Sequence, residues 1–205
     1  MNFDVLIIGG GVAGMQCALV LGSAKNKWFA ENKTIGIILH QRSSHLQNAL
    51  FNNVLGLPEG KRGSEVLTEG KQQLQDVYPH VFQIENEKVC SVQDIKEGFK
   101  ITTNKQAYTA TNIVVALNYS KPFDIVGLKQ YIEPHQRANP QKDRIQLRNY
   151  NHLIKKGLYV CGTIAGWRSQ FAIAAGSGAS VATDILTDWN DGNHTKIHDK
   201  IKNPM

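Results

Sequence analysis

The chain has 205 residues, of which 41% are hydrophobic and 20% charged, and its formal net charge is +6 at pH 7. This length suits one well-cored domain, and this composition excludes a disordered or fibrous protein. No run of about 18 apolar residues occurs, and no basic region precedes the apolar N-terminus. We therefore expect neither a membrane-spanning helix nor a signal peptide.

The first half of the chain has the pattern of a βαβ unit. Residues 3–8 form a short apolar run, typical of a parallel strand buried on both faces, and a helix is predicted after it. Residues 34–39 are predicted as the next strand. Residues 64–77 have apolar positions at helical spacing, with Ser64 as a candidate N-cap.

The hydrophobic period changes to two between residues 81 and 117. Segments 89–92, 99–103 and 107–109 are predicted as a small antiparallel meander, and 113–117 as another buried parallel strand. A last buried strand at 158–161 precedes a helix that Ser169 can cap. Residues from about 190 on are expected to fray.

These elements predict an α/β fold with a central parallel sheet and a small antiparallel meander. One domain is expected over residues 1–189, with residues 190–205 as a C-terminal tail. Residues 118–156 are polar and basic, and we expect a long connector there with little regular structure.

The excess positive charge is concentrated in the connector of residues 118–156. Eight Lys and Arg residues meet three Asp and Glu residues there, which gives this segment +5 of the total. It is therefore either a docking surface for an external reductase, another acidic protein or an anionic ligand, or a solvated loop. It has too few aromatic residues to indicate nucleic-acid stacking, and a homo-oligomer is compatible with the sequence.

A glycine-rich turn, GGGVAG at residues 9–14, stands between the first strand and the first helix. In this GxGxxG pattern Gly9 makes a tight turn, Gly11 lets the backbone approach a pyrophosphate, and Gly14 lets the helix pack closely on the strand. The helix start at Val12 and Ala13 offers unpaired N–H groups and the positive end of the helix dipole to phosphates. The turn predicts a dinucleotide site.

The residues after the second strand depart from the usual dinucleotide-binding pattern. An Asp or Glu that holds the ribose hydroxyls is expected there, whereas this chain has His40, Gln41 and Arg42. His40 or Gln41 can still bond a ribose hydroxyl as a neutral partner. Arg42 could instead bind a 2′-phosphate, which leaves NADP(H) as an alternative ligand.

Three blocks of sequence resemble the FAD-binding domain of the thioredoxin-reductase-like flavoproteins, within the pyridine nucleotide-disulfide oxidoreductase superfamily. They are the glycine turn with Asp4 in the strand before it, the segment from Leu55-Gly56 to Gly70-Lys71, and GLYVCGT…SQFAIAAGSGASVA at residues 157–182. Together they span most of residues 3–187. The resemblance implies a Rossmann-like fold and FAD as the cofactor.

The resemblance also implies which residues contact FAD. In that family the last strand ends in Gly-Asp, whose carboxylate holds the ribityl chain, and here Thr163 stands at the acidic position. The helix that follows points its N-terminus at the flavin. The residues placed at the cofactor in this way are Gly162 and Thr163 at the ribityl chain and pyrophosphate, Ser169, Gln170, Phe171 and Ala172 at the isoalloxazine, Val89 at the adenine, and Ala116 and Leu117 near the pyrophosphate.

Members of that family carry a second glycine-motif domain, which binds NADPH, after the strand that corresponds to residues 113–117. Here only about 40 residues stand at that place, without a second glycine motif or a CxxC. The resemblance therefore implies a minimal FAD-dependent oxidoreductase, whose flavin is reduced by its substrate, a separate reductase or a ferredoxin-like carrier. The alternatives are a non-catalytic flavin- or nucleotide-binding subunit or sensor, and an NADP(H)-binding protein.

No catalytic acid or base and no metal site can be assigned from the sequence. The cysteines form no CxxC, which favours reduced thiols in a cytoplasmic protein, with Cys17 and Cys161 as buried structural residues. The histidines at 45, 135 and 152 have no metal-ligand spacing, and we expect them on the surface. The pair Trp167–Arg168 either borders the flavin or covers the sheet edge.

Overall fold

The computed structural model describes residues 1–40 and 44–198. Its helices are α1 (Val12–Ser23), α2 (Gly63–Val77) and α3 (Phe171–Trp189). Its strands are β1 (Asn2–Ile8), β2 (Ile35–Leu39), β3 (Leu50–Phe51), β4 (Lys61–Arg62), β5 (Val81–Glu85), β6 (Val89–Ile95), β7 (Gly98–Thr103), β8 (Ala107–Val115), β9 (Ile132–Pro134), β10 (Ile145–Leu147), β11 (Leu153–Lys155) and β12 (Leu158–Val160).

The main sheet has the strand order β11-β12-β8-β1-β2-β5, in which all neighbours except β11 and β12 run parallel. The central strand β1 is covered on both faces, and its residues from Val5 to Ile8 are fully or almost fully buried. That is why the sequence shows a continuous apolar run there. Strands β6 and β7 extend from β8 as an antiparallel pair. The predicted α/β fold, with a parallel sheet and a small meander, is confirmed.

One detail of the predicted sheet is wrong, because segments 107–109 and 113–117 are not separate strands. Residues 107–109 and 113–115 are parts of the nine-residue strand β8, which ends before residues 116–117 and pairs antiparallel with β7 in its first half and parallel with β12 in its second. The polar residues between the two segments do not interrupt the strand. Asn112 is satisfied there, because its Nδ2 donates to the backbone oxygen of Asp4 over 3.1 Å.

Helices α1 and α3 pack against each other on one face of the sheet. A Cβ at Gly178 would lie 2.0 Å from the backbone oxygen of Ala13, so this contact requires glycine. Between helices and sheet lie Cys17 and Cys161, both fully buried as predicted, and burial raises the pKa of each thiol. The packing brings the C-terminal part of the chain beside the glycine turn.

Residues 118–156 do not form the loose connector expected from their polarity. Strands β9 and β10 pair as an antiparallel ribbon, and β11 adds to the edge of the main sheet. The segment folds because isolated apolar residues are distributed along it. Four of these side chains are buried in the core beneath β8 and β12: Ile125, Leu128, Ile145 and Leu147.

Both predicted N-caps are wrong by one or two residues. Helix α2 begins at Gly63 after Arg62, whose backbone N–H donates to the Glu65 carboxylate over 2.8 Å, so Ser64 lies inside the first turn. Helix α3 has Gln170 as its N-cap, so Ser169 precedes the cap.

The described part of the tail, residues 190–198, is not frayed. Asn190 donates from Nδ2 to Oγ1 of Thr195 over 3.0 Å, and Thr195 is buried. Ile197 packs on the core between the helices and the sheet. The rest of the predicted tail lies outside the described residues. None of the helices within residues 1–40 and 44–198 combines the length and apolar character needed to cross a membrane.

Candidate functional site

A crevice opens at the carboxyl ends of β1 and β8. In the sheet, β1 has β2 as its neighbour on one side and β8 as its neighbour on the other. The crevice therefore lies at the point where the order of the strands changes direction. Ligands of open α/β sheets bind at such points. Twelve residues predicted from the sequence line this crevice: Gly9, Gly11, Val12, Ala13, His40, Ala116, Leu117, Gly162, Thr163, Ser169, Gln170 and Phe171.

The other predicted site residues lie elsewhere. Val89 lines a second, adjoining cavity, which shares His40 with the crevice. Gly14 lies beneath the turn, and Ala172 is exposed on the first turn of α3 without lining either cavity. Residues 41 and 42 (Gln41, Arg42) lie outside the described residues.

The glycine turn has the geometry that its sequence predicts. Gly9 has a φ of +116°, and a Cβ there would lie 2.4 Å from the backbone oxygen of Ala116. A Cβ at Gly14 would lie 1.9 Å from the oxygen of Gly9, so the helix packs on the turn without room for a side chain. These close contacts fix the start of α1 at the floor of the crevice.

Two helix N-termini converge on this crevice, and neither has a side-chain cap. The N-cap of α1 is Gly11 and that of α3 is Gln170, and in the described structure no side chain bonds the first N–H groups of either helix. Helix N-termini are usually capped by Ser, Thr, Asp or Asn. The unpaired donors and the positive ends of two helix dipoles therefore favour an anionic ligand between them.

A buried hydrogen-bond network holds the last strand against α3. The backbone N–H of Gly162 donates to Oγ of Ser177 over 2.8 Å, and Nε2 of His152 lies 2.9 Å from the same oxygen. His152 is buried, which lowers its pKa and favours the neutral imidazole. The prediction of a surface position for His152 is wrong.

His135 is also buried rather than on the surface, and it lies beside Thr163. Its Nδ1 accepts the backbone N–H of Arg137 over 3.1 Å, so the ring hydrogen is on Nε2. From Nε2 it donates to the backbone oxygen of Thr163 over 3.0 Å. No sequence motif points to this contact, because the two residues are brought together by the fold of residues 118–156.

A segment that the sequence analysis did not single out forms one wall of the crevice. Ser44 accepts the N–H of Leu46 and begins a 3-10 helix that carries His45 into the wall. Phe51 packs edge-on against Phe171, with ring centroids 5.1 Å apart. This wall has no regular hydrophobic period, so the sequence gives little signal for it.

Trp167 does not line either cavity. Its ring stacks on His152, with centroids 5.7 Å apart and an angle of 20° between the planes. The guanidinium of Arg137 also lies over the Trp167 ring, 4.6 Å from its centroid. This stacking places Trp167 beside the residue that precedes the edge strand β11.

The residues present fit FAD, with two departures from the usual donor set. Gly11 has an extended backbone, and a Cβ there would meet nothing nearer than Oγ of Ser44 at 4.0 Å, so the backbone is open to a pyrophosphate. The residues of the crevice include no Asp or Glu in the described structure, and His40 and Thr163 stand where carboxylates are expected. The backbone donors that a pyrophosphate would need are thus present, whereas the groups that would hold the cofactor hydroxyls are neutral.

The adjoining cavity contains two carboxylates, Asp124, which forms an ion pair with Lys129, and Glu87, which is hydrogen-bonded within the meander. Its oxygens accept from Oγ1 of Thr103 over 2.7 Å and from the hydroxyl of Tyr108 over 3.0 Å. Gln106 adds a third bond of 3.0 Å. Glu87 therefore stabilises the meander rather than standing free for a ribose hydroxyl.

A family model described as pyridine nucleotide-disulphide oxidoreductase matches residues 3–178. No curated protein matches the chain in sequence.

Solved structures similar to this chain include an oxidoreductase from Agrobacterium tumefaciens, with 15% identity and a TM-score of 0.69, covering 92% of this chain and 98% of that one. A thioredoxin reductase from Gloeobacter violaceus has 12% identity and a TM-score of 0.73, covering 98% and 99%. A ferredoxin-flavin thioredoxin reductase from Clostridium acetobutylicum has 16% identity and a TM-score of 0.67, covering 93% and 99%. These likenesses show the fold.

Proposed function

The chain belongs to the pyridine nucleotide-disulphide oxidoreductase family, whose members are FAD-binding flavoproteins, and we propose that it is a minimal FAD-dependent oxidoreductase with an external source of electrons. The observation that supports this most strongly is the crevice with two uncapped helix N-termini, one from each end of the chain. One terminus would bind the pyrophosphate of a dinucleotide cofactor, and the other would face its ring system.

Particular residues would hold FAD in this crevice. The backbone at Gly11, Val12 and Ala13 would bind the pyrophosphate, and Ser169–Phe171, at the start of α3, would contact the isoalloxazine. Val89 lies in the adjoining cavity, where the adenine would be placed. Bound FAD supplies the transfer of one or two electrons that oxidoreductases of this kind use.

The chain's own contribution to that chemistry is electrostatic. The N-terminus of α3 would favour negative charge on the adjacent ring by about 0.3–1 kcal/mol. Hydrogen bonds with Ser177 and His135 fix the backbone of Gly162 and Thr163, which also line the crevice. Fixed dipoles of this kind stabilise charge without having to reorganise.

The proposal of an external electron source depends on the segment of residues 118–156. In the family that the sequence resembles, a second nucleotide-binding domain stands at this place, whereas here the β9–β10 ribbon fills it. The electrons would then come from the substrate, a separate reductase or a small carrier protein. An acidic carrier would find positive charge on this segment.

Part of that charge is already neutralised within the chain. Three lysines of the segment form ion pairs: Lys121 with Asp143, Lys129 with Asp124, and Lys155 with Asp94. Four further cationic residues of the segment are exposed and form no ion pair in the described structure: Arg137, Lys142, Arg148 and Lys156. A partner would bind through these four.

A non-catalytic flavin-binding subunit is the second candidate function. It is favoured by His40 and Thr163, which stand where the usual pattern has carboxylates. A carboxylate would bind a cofactor hydroxyl through a charge-assisted hydrogen bond, which is stronger by about 1–2 kcal/mol than the neutral bonds of these two residues, so FAD would be held less tightly. Weaker retention of FAD suits a sensor. NADP(H) binding through Arg42 depends on a residue outside the described ranges.

The test is the purified protein itself. We expect flavin absorbance, or uptake of FAD on titration, and reduction of the bound flavin by dithionite but not by NADPH alone. A colourless protein that ignores added FAD would overturn the proposal. Fast reduction by NADPH would contradict the external donor, and a flavin that no candidate donor reduces would favour the non-catalytic subunit.

A further inference from the structure

Arg144 is a partly buried cation with unused hydrogen-bonding capacity. Its Nη1 donates to Oγ of Ser120, and its guanidinium lies over the ring of Tyr119, 5.0 Å from the centroid. Its Nε is buried, and in the described ranges it has no hydrogen-bond partner. No Asp or Glu of those ranges forms an ion pair with it.

An unpaired buried donor on a charged group is unfavourable, so its persistence calls for a physical reason. The backbone fixes it in place, because the N–H of Ile145 donates to the oxygen of Tyr119 over 3.0 Å and aligns Arg144 with Ser120. Packing on Tyr119 compensates only part of the charge. A guanidinium held in this way is suited to an oxyanion, which it can bind through two N–H groups.

His45 completes the group from the opposite wall. Its Nε2 lies 3.2 Å from Oγ of Ser120, and its ring packs on Tyr119 with centroids 5.4 Å apart. Partial burial, and then the charge of Arg144, lower the pKa of His45. Within residues 1–40 and 44–198, the ring of His45 contacts Tyr119 and Ser120, and the cation that acts on it is Arg144.

The position of the group connects it with the ligand crevice. His45 lines the crevice, Ser120 lines the adjoining cavity, and Asn118 lines both. The group therefore lies where the two cavities meet, at the side covered by residues 118–156. Arg144 itself lines neither cavity and is connected to this junction through its bond to Ser120, so an anion that binds there would meet Ser120 and His45 first.

We propose that Arg144, Ser120 and His45 form a binding site for the oxyanion group, a carboxylate or a phosphate, of the molecule that the crevice acts on. The identification of that molecule as a substrate rests on the proposed function, whereas the binding of an oxyanion does not. Arg144 would bind the anion directly, Ser120 would orient the guanidinium, and His45 would supply a second polar contact.

The test is a pH titration of the His45 imidazole by NMR, with the protein loaded with FAD. It is measured with inorganic phosphate, with acetate, and with chloride alone at the same ionic strength. A bound anion favours the charged imidazolium, so we expect a saturable rise of the His45 pKa with the anion that fits. Saturation by phosphate or by acetate identifies the chemical class.

Three variants assign the effect to Arg144. Arg144→Gln should weaken anion binding by on the order of tenfold and raise the His45 pKa in chloride, since it removes the adjacent positive charge. Arg144→Lys should retain part of the affinity. The matched control is Lys96→Gln, at an exposed lysine between β6 and β7 that lines neither cavity, and this variant should bind the anion as the wild type does.

Saturation by neither anion, or an Arg144→Gln protein that binds as tightly as the wild type, would overturn the proposal. If Arg144→Gln does not fold, Ser120→Ala takes its place, because it keeps the cation and should weaken binding a few-fold; unchanged binding contradicts the site. The same titration without FAD separates the two proposals. A His45 response in a chain that never takes up flavin would keep the anion site and refute the oxidoreductase.

Discussion

His135 donates a hydrogen bond from Nε2 to the backbone oxygen of Thr163 across 3.0 Å. The two residues belong to the segment 118–156 and to the stretch after the last strand, respectively. The bond fixes the peptide that follows Thr163, one of the residues that line the crevice. The segment of residues 118–156 therefore supports the site in addition to covering one side of it.

Replacement of His135 by leucine should lower the free energy of unfolding by about 1–2 kcal/mol, because the N–H of Arg137 and the oxygen of Thr163 each lose a partner. FAD affinity should fall with it. Urea unfolding and flavin titration measure the two effects. His194→Leu, at an exposed histidine, is the control and should change stability by less than about 0.5 kcal/mol. Equal effects of the two substitutions would contradict the structural role of His135.

Gly11→Val should abolish flavin binding while the protein still folds. The backbone of Gly11 is extended and has room for a side chain, but that side chain would occupy the place of the pyrophosphate. Circular dichroism reports the fold and fluorescence titration reports FAD. Gly176→Ala, on an open part of α3, should bind FAD normally and be slightly more stable. Normal flavin uptake by Gly11→Val would place the phosphates elsewhere.

Thr163→Asp should tighten FAD binding by on the order of tenfold, since it replaces a neutral contact with a charge-assisted hydrogen bond to a cofactor hydroxyl. Thr163→Asn has nearly the same shape without the charge and should gain less. The dissociation constants of the three proteins can be compared by isothermal titration. No gain with aspartate would mean that residue 163 does not face the ribityl chain.

Stability should fall as the pH drops from about 7.5 to 5.5, and His152 should account for part of the loss. Burial lowers its pKa below the ordinary value of 6.5, so the unfolded chain binds more protons than the folded one in acid. The neutral His152 therefore stabilises the folded protein at pH values above the pKa that this histidine has in the unfolded chain, and this stabilisation is lost as the pH falls. His152→Gln keeps a polar partner for Ser177 but does not titrate. Urea unfolding at several pH values should show a smaller slope for this variant, and an equal slope would refute the assignment.

The sequence predicted the elements with strong local patterns. The apolar run of β1 and the glycine turn after it are specified within 14 residues, and the close contacts of Gly9 and Gly14 explain why glycine is required. Weak local patterns were misread for a physical reason. The polar residues in the middle of β8 looked like a break, although Asn112 is satisfied by a bond to the neighbouring strand.

The candidate site was predicted where it depends on the backbone and missed where it depends on side chains from distant segments. His135 and His152 were wrongly assigned to the surface because nothing near them in sequence indicates a partner, whereas His45 is exposed as predicted and only its contact was missed. The partners of His45, His135 and His152 are Ser120, Thr163 and Ser177, which are 75, 28 and 25 residues away. Contacts at such separations depend on the topology of the sheet.

By itself, the sequence determined the fold class, the start of the site at residues 9–14, and the family to which the chain is similar, because glycine positions and hydrophobic periods are local properties. Only the tertiary structure decided that residues 118–156 fold onto the crevice, and that Arg144 lies beside Ser120 and His45. The reason is that buried apolar residues at wide spacing, such as Leu128 and Leu147, fold this polar segment by packing on a core that the rest of the chain supplies.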